Sequence, residues 1–172
     1  MNFNKLYHLL VESKTDKLPI LRLDSDRDEA PVGYTGIIIW PSGYKAWFLN
    51  GKHHREDGPA IENNGDTHWY LNGKRHRIGG PAVERADGYK AWYVNGIRHR
   101  EDGPAKIRED GSKEWYQGGV YHREDGPAVE WSDGTKEWWL EDKPYSEQNY
   151  KIELIRRGIN KNPSLSDVMD AI

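Results

Sequence analysis

The stretch Trp47-Phe48-Leu49-Asn50-Gly51-Lys52-His53-His54-Arg55-Glu56-Asp57-Gly58-Pro59-Ala60 decides the fold. It returns over residues 69–82, 92–105 and 115–128, and Trp138 opens a fifth copy that breaks off. Successive tryptophans stand 22, 23, 23 and 23 residues apart. A fixed period of this size marks a repeat array, in which each copy buries its apolar surface by stacking on its neighbours.

Two turn signals recur within each copy. The first is Asn50-Gly51, Asn72-Gly73 and Asn95-Gly96, with Gly118-Gly119 in the fourth copy. Such pairs tolerate the positive φ angles of a two-residue hairpin turn. The second is Asn64-Gly65, Asp87-Gly88, Asp110-Gly111 and Asp133-Gly134. Between them lies a strand such as residues 89–94, in which alternation sets Lys90, Trp92 and Val94 on one face and Ala91 and Tyr93 on the other.

Length matching sharpens this picture. The ascending strand of the third copy has six residues, 89–94, whereas the descending segment, 97–109, has thirteen. Antiparallel partners match in length, so about half of the descending segment leaves the ladder. His99-Arg100-Glu101-Asp102-Gly103-Pro104 is the part expected to leave. Gly103 permits an unusual backbone angle, and Pro104 has no N–H to donate. Ala105 then restarts the strand, and every copy projects the same loop from the same side.

Outside the array, Phe3, Leu6, Tyr7 and Leu10 fall on one helical face, with Asn2 able to cap it. Residues 18–23 form an apolar island, read as a strand or irregular cover. At the other end, Glu141-Asp142 replaces Asn-Gly, the hairpin signal is lost, and the array is expected to stop. Ser146 can cap a helix running to about Arg157, which Gly158 ends. Leu165, Val168, Met169 and Ile172 predict a second short helix behind the capping box Ser164-Leu165-Ser166-Asp167. The expected organisation is an N-terminal helix and cover segment over 1–32, a hairpin array over 33–145 and a C-terminal helical cap over 146–172. The expected fold is mainly β: an elongated, twisted, single-layer antiparallel sheet of repeated hairpins, with short terminal helices covering its edges.

Composition bounds the function. The 172 residues are 35% hydrophobic and 31% charged, so the eight Trp and ten Tyr must supply much of the burial. The net charge of −3 lacks the basic excess of a strong duplex-nucleic-acid binder. With no Cys there is neither disulfide nor thiolate chemistry. No apolar run approaches the ~20 residues that span a bilayer, and the N-terminus does not read as a signal peptide. A cytoplasmic protein without a membrane role is expected.

The Trp-Tyr-Leu-Asn-Gly-Lys core at Trp69, its period and the Gly that follows resemble the divergent branch of the MORN repeat family over about residues 33–145. The His-Arg-Glu-Asp-Gly-Pro-Ala extension is similar to repeat proteins of bacteriophages, large viruses and some bacteria. The resemblance implies a single-layer sheet of successive hairpins that serves as a scaffold or binding surface. Here the charged loop replaces the Gly-rich second half of the commonest pattern.

Three columns of side chains could carry chemistry. His54, His76, His99 and His122 form one. Equivalent histidines, two strands apart, lie ~9.5 Å from each other, too far for one ion with ligand bonds of ~2 Å, so hydrogen-bonding roles are expected and no metal is assigned. Arg55, Arg77, Arg100 and Arg123 form the second. Their acidic neighbours suggest salt-bridged loops, against the alternative of a row of forked donors for a phosphate or carboxylate. Repeat two has Ile78-Gly79 in place of Glu-Asp, which marks Arg77 as the copy readiest to engage something external. The third column, Phe48, Tyr70, Tyr93, Tyr116 and Trp139, faces away from the tryptophans. Both faces of a single sheet cannot be equally buried, so this row is either covered by the terminal helices or by self-association, or stays partly exposed with Tyr70, Tyr93 and Tyr116 able to stack on a ligand.

No nucleophile motif, phosphate loop or metalloprotease signature is present. Four identical catalytic centres on one small chain would be unusual. The leading expectation is therefore a non-enzymatic protein-interaction module with no cofactor and no catalytic residue. If phage-encoded, it would act in the host cytoplasm as an inhibitor of a defence or regulatory protein. The alternatives are a sponge for a nucleotide-like small molecule and, last, a hydrolase using His with Glu or Asp. Self-association through a face or an end is a further expectation.

Overall fold

A computed structural model describes residues 9–10 and 18–159. They fall into two compact units. One runs up to Asp87 and takes in Val94–Gly96; the other comprises Gly88–Tyr93 and the chain from Ile97 onward. Both are built of short β-hairpins, and the fold is mainly β.

In the first unit, Leu9–Leu10 pairs antiparallel with Ile20–Arg22. Ile20–Arg22 lies parallel to Gly36–Ile39, the one parallel pair described, so the sheet is mixed at this end. The ladder continues antiparallel through Lys45–Leu49, Ile61–Asn63, Asp66–His68 and Val83–Glu84. Leu21, Leu23, Ile38, Ala46 and Phe48 form its apolar core. The island at 18–23 is thus a covering strand. Of the helix expected near the N-terminus, Leu9–Leu10 is strand and the remainder lies outside the described residues.

In the second unit the antiparallel order is Lys90–Ala91, Lys106–Ile107, Lys113–Glu114, Val129–Glu130, Lys136–Leu140 and Lys143–Tyr145. The expected helix follows. It spans Glu147–Arg156, and the Ser146 hydroxyl accepts from the Asn149 N–H. Tyr150 and Leu154 are buried against Leu140, beside Trp138 and Tyr145. The second C-terminal helix lies outside the described residues.

The strand expected to run unbroken over 89–94 divides at Trp92 into Lys90–Ala91 and Tyr93–Val94. The same division occurs at Trp69 and Trp115. Backbone pairing gives the reason. Each tryptophan N–H donates to the alanine carbonyl thirteen residues on: Trp47 to Ala60, Trp69 to Ala82, Trp92 to Ala105 and Trp115 to Ala128, at 2.7–2.9 Å. Its own carbonyl accepts from the histidine N–H seven residues on, within the hairpin. The tryptophan is therefore where the chain changes partners. Because that alanine backbone lies directly beside the tryptophan, no side-chain volume is spare, and all four alanines are fully buried.

The Asn-Gly turns form a ladder of their own. Both turn residues have positive φ, as at Asn50 (50°) and Gly51 (74°), the geometry of a two-residue hairpin turn. The N–H of Gly73 donates to the carbonyl of His53 in the preceding hairpin, Gly96 to Arg75, and Gly119 to Arg98. The end of the array needs a correction. Glu141 and Asp142 take φ of 54° and 62°, and Lys136–Leu140 pairs with Lys143–Tyr145 across them. A fifth hairpin therefore forms without Asn-Gly. Asp142 is held on the fourth hairpin, its N–H donating to the Tyr121 carbonyl at 3.0 Å and its carboxylate accepting from the Tyr121 N–H at 2.8 Å.

Candidate interaction surface

The loop is shorter than expected: the His54 N–H still donates to the Trp47 carbonyl and the Arg55 N–H to the Tyr70 carbonyl, so the backbone leaves the ladder only from Glu56 to Pro59, and the arginine organises each loop. The guanidinium carbon lies over the tryptophan ring of its own copy: Arg55 over Trp47 at 4.2 Å, Arg77 over Trp69 at 4.0 Å, Arg100 over Trp92 at 4.2 Å and Arg123 over Trp115 at 3.9 Å. Such stacking combines cation–π attraction with burial of the flat guanidinium. The Gly of Gly-Pro-Ala closes the other side. A Cβ on Gly58, Gly80, Gly103 or Gly126 would meet that guanidinium carbon at 2.5, 2.9, 3.0 and 3.0 Å. None of the four has a positive φ. The glycine is required by close approach of the arginine, which corrects the expectation of an unusual backbone angle.

Nε in three copies and Nη1 in all four are also held within the copy. Nε donates to the aspartate two residues on, Arg55 to Asp57, Arg100 to Asp102 and Arg123 to Asp125, at 2.7–2.9 Å. Nη1 donates to the proline carbonyl four residues on, at 3.0–3.3 Å. In three copies Nη1 also reaches a glutamate on the next strand: Arg55 to Glu62, Arg77 to Glu84 and Arg123 to Glu130. Arg77 lacks the loop carboxylate because position 79 is Gly, yet Pro81 and Glu84 hold it at 3.0 and 2.8 Å. Arg77 is thus held by Pro81 and Glu84 in place of loop carboxylates.

The histidines fasten one copy to the next. Nδ1 of His54 accepts from the Asn72 N–H at 3.1 Å, His76 from Asn95 at 3.1 Å and His99 from Gly118 at 3.0 Å. An acceptor Nδ1 leaves the proton on Nε2, which faces the loop glutamate at 3.6 Å for His54 and Glu56 and 3.7 Å for His99 and Glu101; Nε2 of His122 likewise lies 3.4 Å from Glu124.

The row Phe48, Tyr70, Tyr93, Tyr116 and Trp139 is interleaved with a column that sequence reasoning missed, namely His53, Arg75, Arg98 and Tyr121. In the first unit the rings of Phe48 and His53 lie 4.5 Å apart and those of His53 and Tyr70 5.4 Å apart, with Arg75 over Tyr70. In the second, Arg98 lies over both Tyr93 and Tyr116, Tyr121 stacks on Tyr116 at 4.3 Å, and Trp139 follows at 5.4 Å. Tyr70 and Tyr116 thus each pack against two neighbours from the chain itself. The missed signal was the residue six positions after the tryptophan, a planar group in each of the first four copies.

Beneath this stack the second unit buries a carboxylate. Glu114 is fully buried and accepts from Lys106 and Tyr116 at 2.8 Å, Arg108 at 2.7 Å and Tyr121 at 2.9 Å. Burial alone would raise its pKa, but the hydrogen bonds from Lys106, Tyr116, Tyr121 and Arg108 outweigh it and hold the group at about 2. The equivalent position is Ala46 or Ala91 in two other copies, so a charge between small residues was the available signal. In the first unit His68 stands there. Burial, then nearby charge, lowers the pKa of both His68 and His53, and the Nδ1 of each is buried without a hydrogen-bond partner.

Facing outward are the carboxylates of the loops and the far face of each ladder. Glu56, Asp57, Glu101 and Asp102 are all more than 80% exposed, with side-chain values of 85, 86, 87 and 84%. Lys45, Lys90, Lys113 and Lys136 are exposed on strands, each two residues before a tryptophan. Among the described residues no group of three or more His, Asp or Glu side chains is arranged to hold a metal ion. No described helix is long and apolar enough to cross a membrane. No family model and no curated protein matches the chain.

Proposed function

We propose that the chain is a non-enzymatic protein-interaction module, a MORN-like repeat scaffold that offers a periodic charged surface to a protein partner. The observation that supports this reading is the internal commitment of the arginines. Each is stacked on its own tryptophan and bonded within its own copy, while lysines and loop carboxylates recur outward. Repetition of this kind multiplies surface area, and surface is what a protein partner reads. A nucleotide-like ligand would have to compete for aromatic rings and guanidinium groups that already stack on one another within the chain. The likeness of the charged loop to phage repeat proteins directs the search for the partner to host defence and regulatory proteins.

The test is affinity capture from host lysate with the immobilised chain, reading proteins and small molecules by mass spectrometry in the same eluate. A protein partner is expected, and its capture should fall when Lys113 and Lys136 are both changed to Glu. Recovery of a small ligand without any protein would overturn the proposal.

A further inference from the structure

Within the second unit, the repeat's charge pattern fails at one position. The glutamate seven residues after each loop arginine is Glu62, Glu84 and Glu130 in copies one, two and four, but Ile107 in copy three. Arg100 is placed like its siblings, 4.2 Å over Trp92, with Nε on Asp102 and Nη1 on the Pro104 carbonyl. Its Nη1 lacks the strand carboxylate that Arg55, Arg77 and Arg123 reach at 2.8–3.2 Å. Among the described residues no other acidic group takes that place.

Strand register adds two more cations. Ile107 is paired directly with Lys90 on one side and Lys113 on the other. Directly opposed residues of an antiparallel pair share a face, so both lysines flank Ile107 on the face where the glutamate would stand. Both are exposed, and Ile107 is half-buried. Glu130, opposite Lys113 on its far side, is bonded to Arg123 at 2.9 Å. Lys90, Lys113 and Arg100 therefore surround an aliphatic floor, without the acidic residue that the other copies supply.

We propose that this position is a docking site for a carboxylate side chain of an acidic segment in a protein partner, which takes the place of the missing glutamate. Arg100 is already immobilised by Trp92 and Gly103, so the partner meets a pre-oriented guanidinium edge. Lys90 and Lys113 add charge that favours the same group. The assignment rests on the interaction reading above and gives it a location and a chemistry.

The test uses a fluorescein-labelled peptide of glutamates spaced by glycines, with fluorescence anisotropy at low ionic strength on the full chain. Saturable binding that weakens with salt is expected. Ile107→Glu restores the repeat's own carboxylate and should weaken peptide binding by about tenfold or more, since it fills the site from within. Ile107→Ala removes the aliphatic group without filling the site and should bind within about threefold of the parent. Undiminished binding by Ile107→Glu, or no saturable binding by the parent, would overturn the site. Tighter binding of a phosphoserine peptide of the same spacing would overturn the carboxylate assignment. If lysate capture persists unchanged in Ile107→Glu, the interaction reading stands and only this location is lost; if the parent captures no protein, that reading falls as well.

Discussion

The guanidinium of Arg123 lies 3.9 Å over the ring of Trp115, and a Cβ added to Gly126 would stand 3.0 Å from the same guanidinium carbon. The conspicuous charged motif of the repeat is thus a clamp in which tryptophan, arginine and glycine are one layered unit. Because the unit recurs, its weakening can be measured copy by copy.

Gly126→Ala should displace the guanidinium and cost about 1–3 kcal/mol, in the range for overpacking a filled site. Urea denaturation gives the value. Trp115→Leu removes the other side of the same stack, so the double variant should cost less than the two single costs combined. Strict additivity would show that the glycine and the tryptophan act independently.

His99→Ala removes the acceptor for the Gly118 N–H, now 3.0 Å from Nδ1. A loss of about 1 kcal/mol is expected, with amide-exchange protection falling first at Gly118. Unchanged protection there would mean that water replaces the imidazole at no cost.

Acid should act in two steps. His53 and His68 have pKa values lowered from the ordinary 6.5 by burial and then by neighbouring charge, so folding favours their neutral form. Below about pH 6.5 the unfolded chain binds more protons than the folded one, and stability falls as pH drops toward the lowered values. Glu114 has the opposite sense. Its pKa is lowered from 4.5 to about 2, so its contribution is complete above 4.5 and is lost as pH falls to about 2. A shift of that size corresponds to about 3 kcal/mol. His53→Phe should flatten the upper step and Glu114→Gln the lower, read from denaturation midpoints across pH. A single step unaffected by either variant would contradict this assignment.

The fifth hairpin turns through Glu141, with φ of 54°. A non-glycine residue in this region costs about 1–2 kcal/mol. Glu141→Gly should therefore raise the melting temperature, while Asp142 keeps its bonds to Tyr121. The surrendered ion pair with Arg157, at 3.2 Å, involves a Glu141 side chain that is 66% exposed, and such pairs contribute little. A lower melting temperature would show that the pair outweighs the strain.

Much of the architecture could be read in advance because it is local. The Asn-Gly turns, the displaced loops and the Ser146 cap depend on residues a few positions apart, and local backbone preferences report them. The fifth hairpin was missed because its turn is held by Tyr121, about twenty residues earlier, against the preference of Glu141 and Asp142. The break at Trp92 was missed because alternation describes side-chain facing and is silent on which strand receives each backbone group. The candidate site fared similarly. The arginine and histidine columns were visible as columns, but their partners were not.

The sequence by itself determined a 23-residue period, a hairpin in each copy and a charged loop that cannot stay in the ladder, since these follow from spacing and from the chemistry of Gly, Pro and Asn. Only the tertiary structure decided which way the loop's charges point. Stacking on tryptophan and close approach to glycine draw each arginine inward, and the carboxylates beside it remain in water. Register then decided that Lys90 and Lys113 flank Ile107. Pairing across strands is a long-range choice, and no single copy of the repeat contains it.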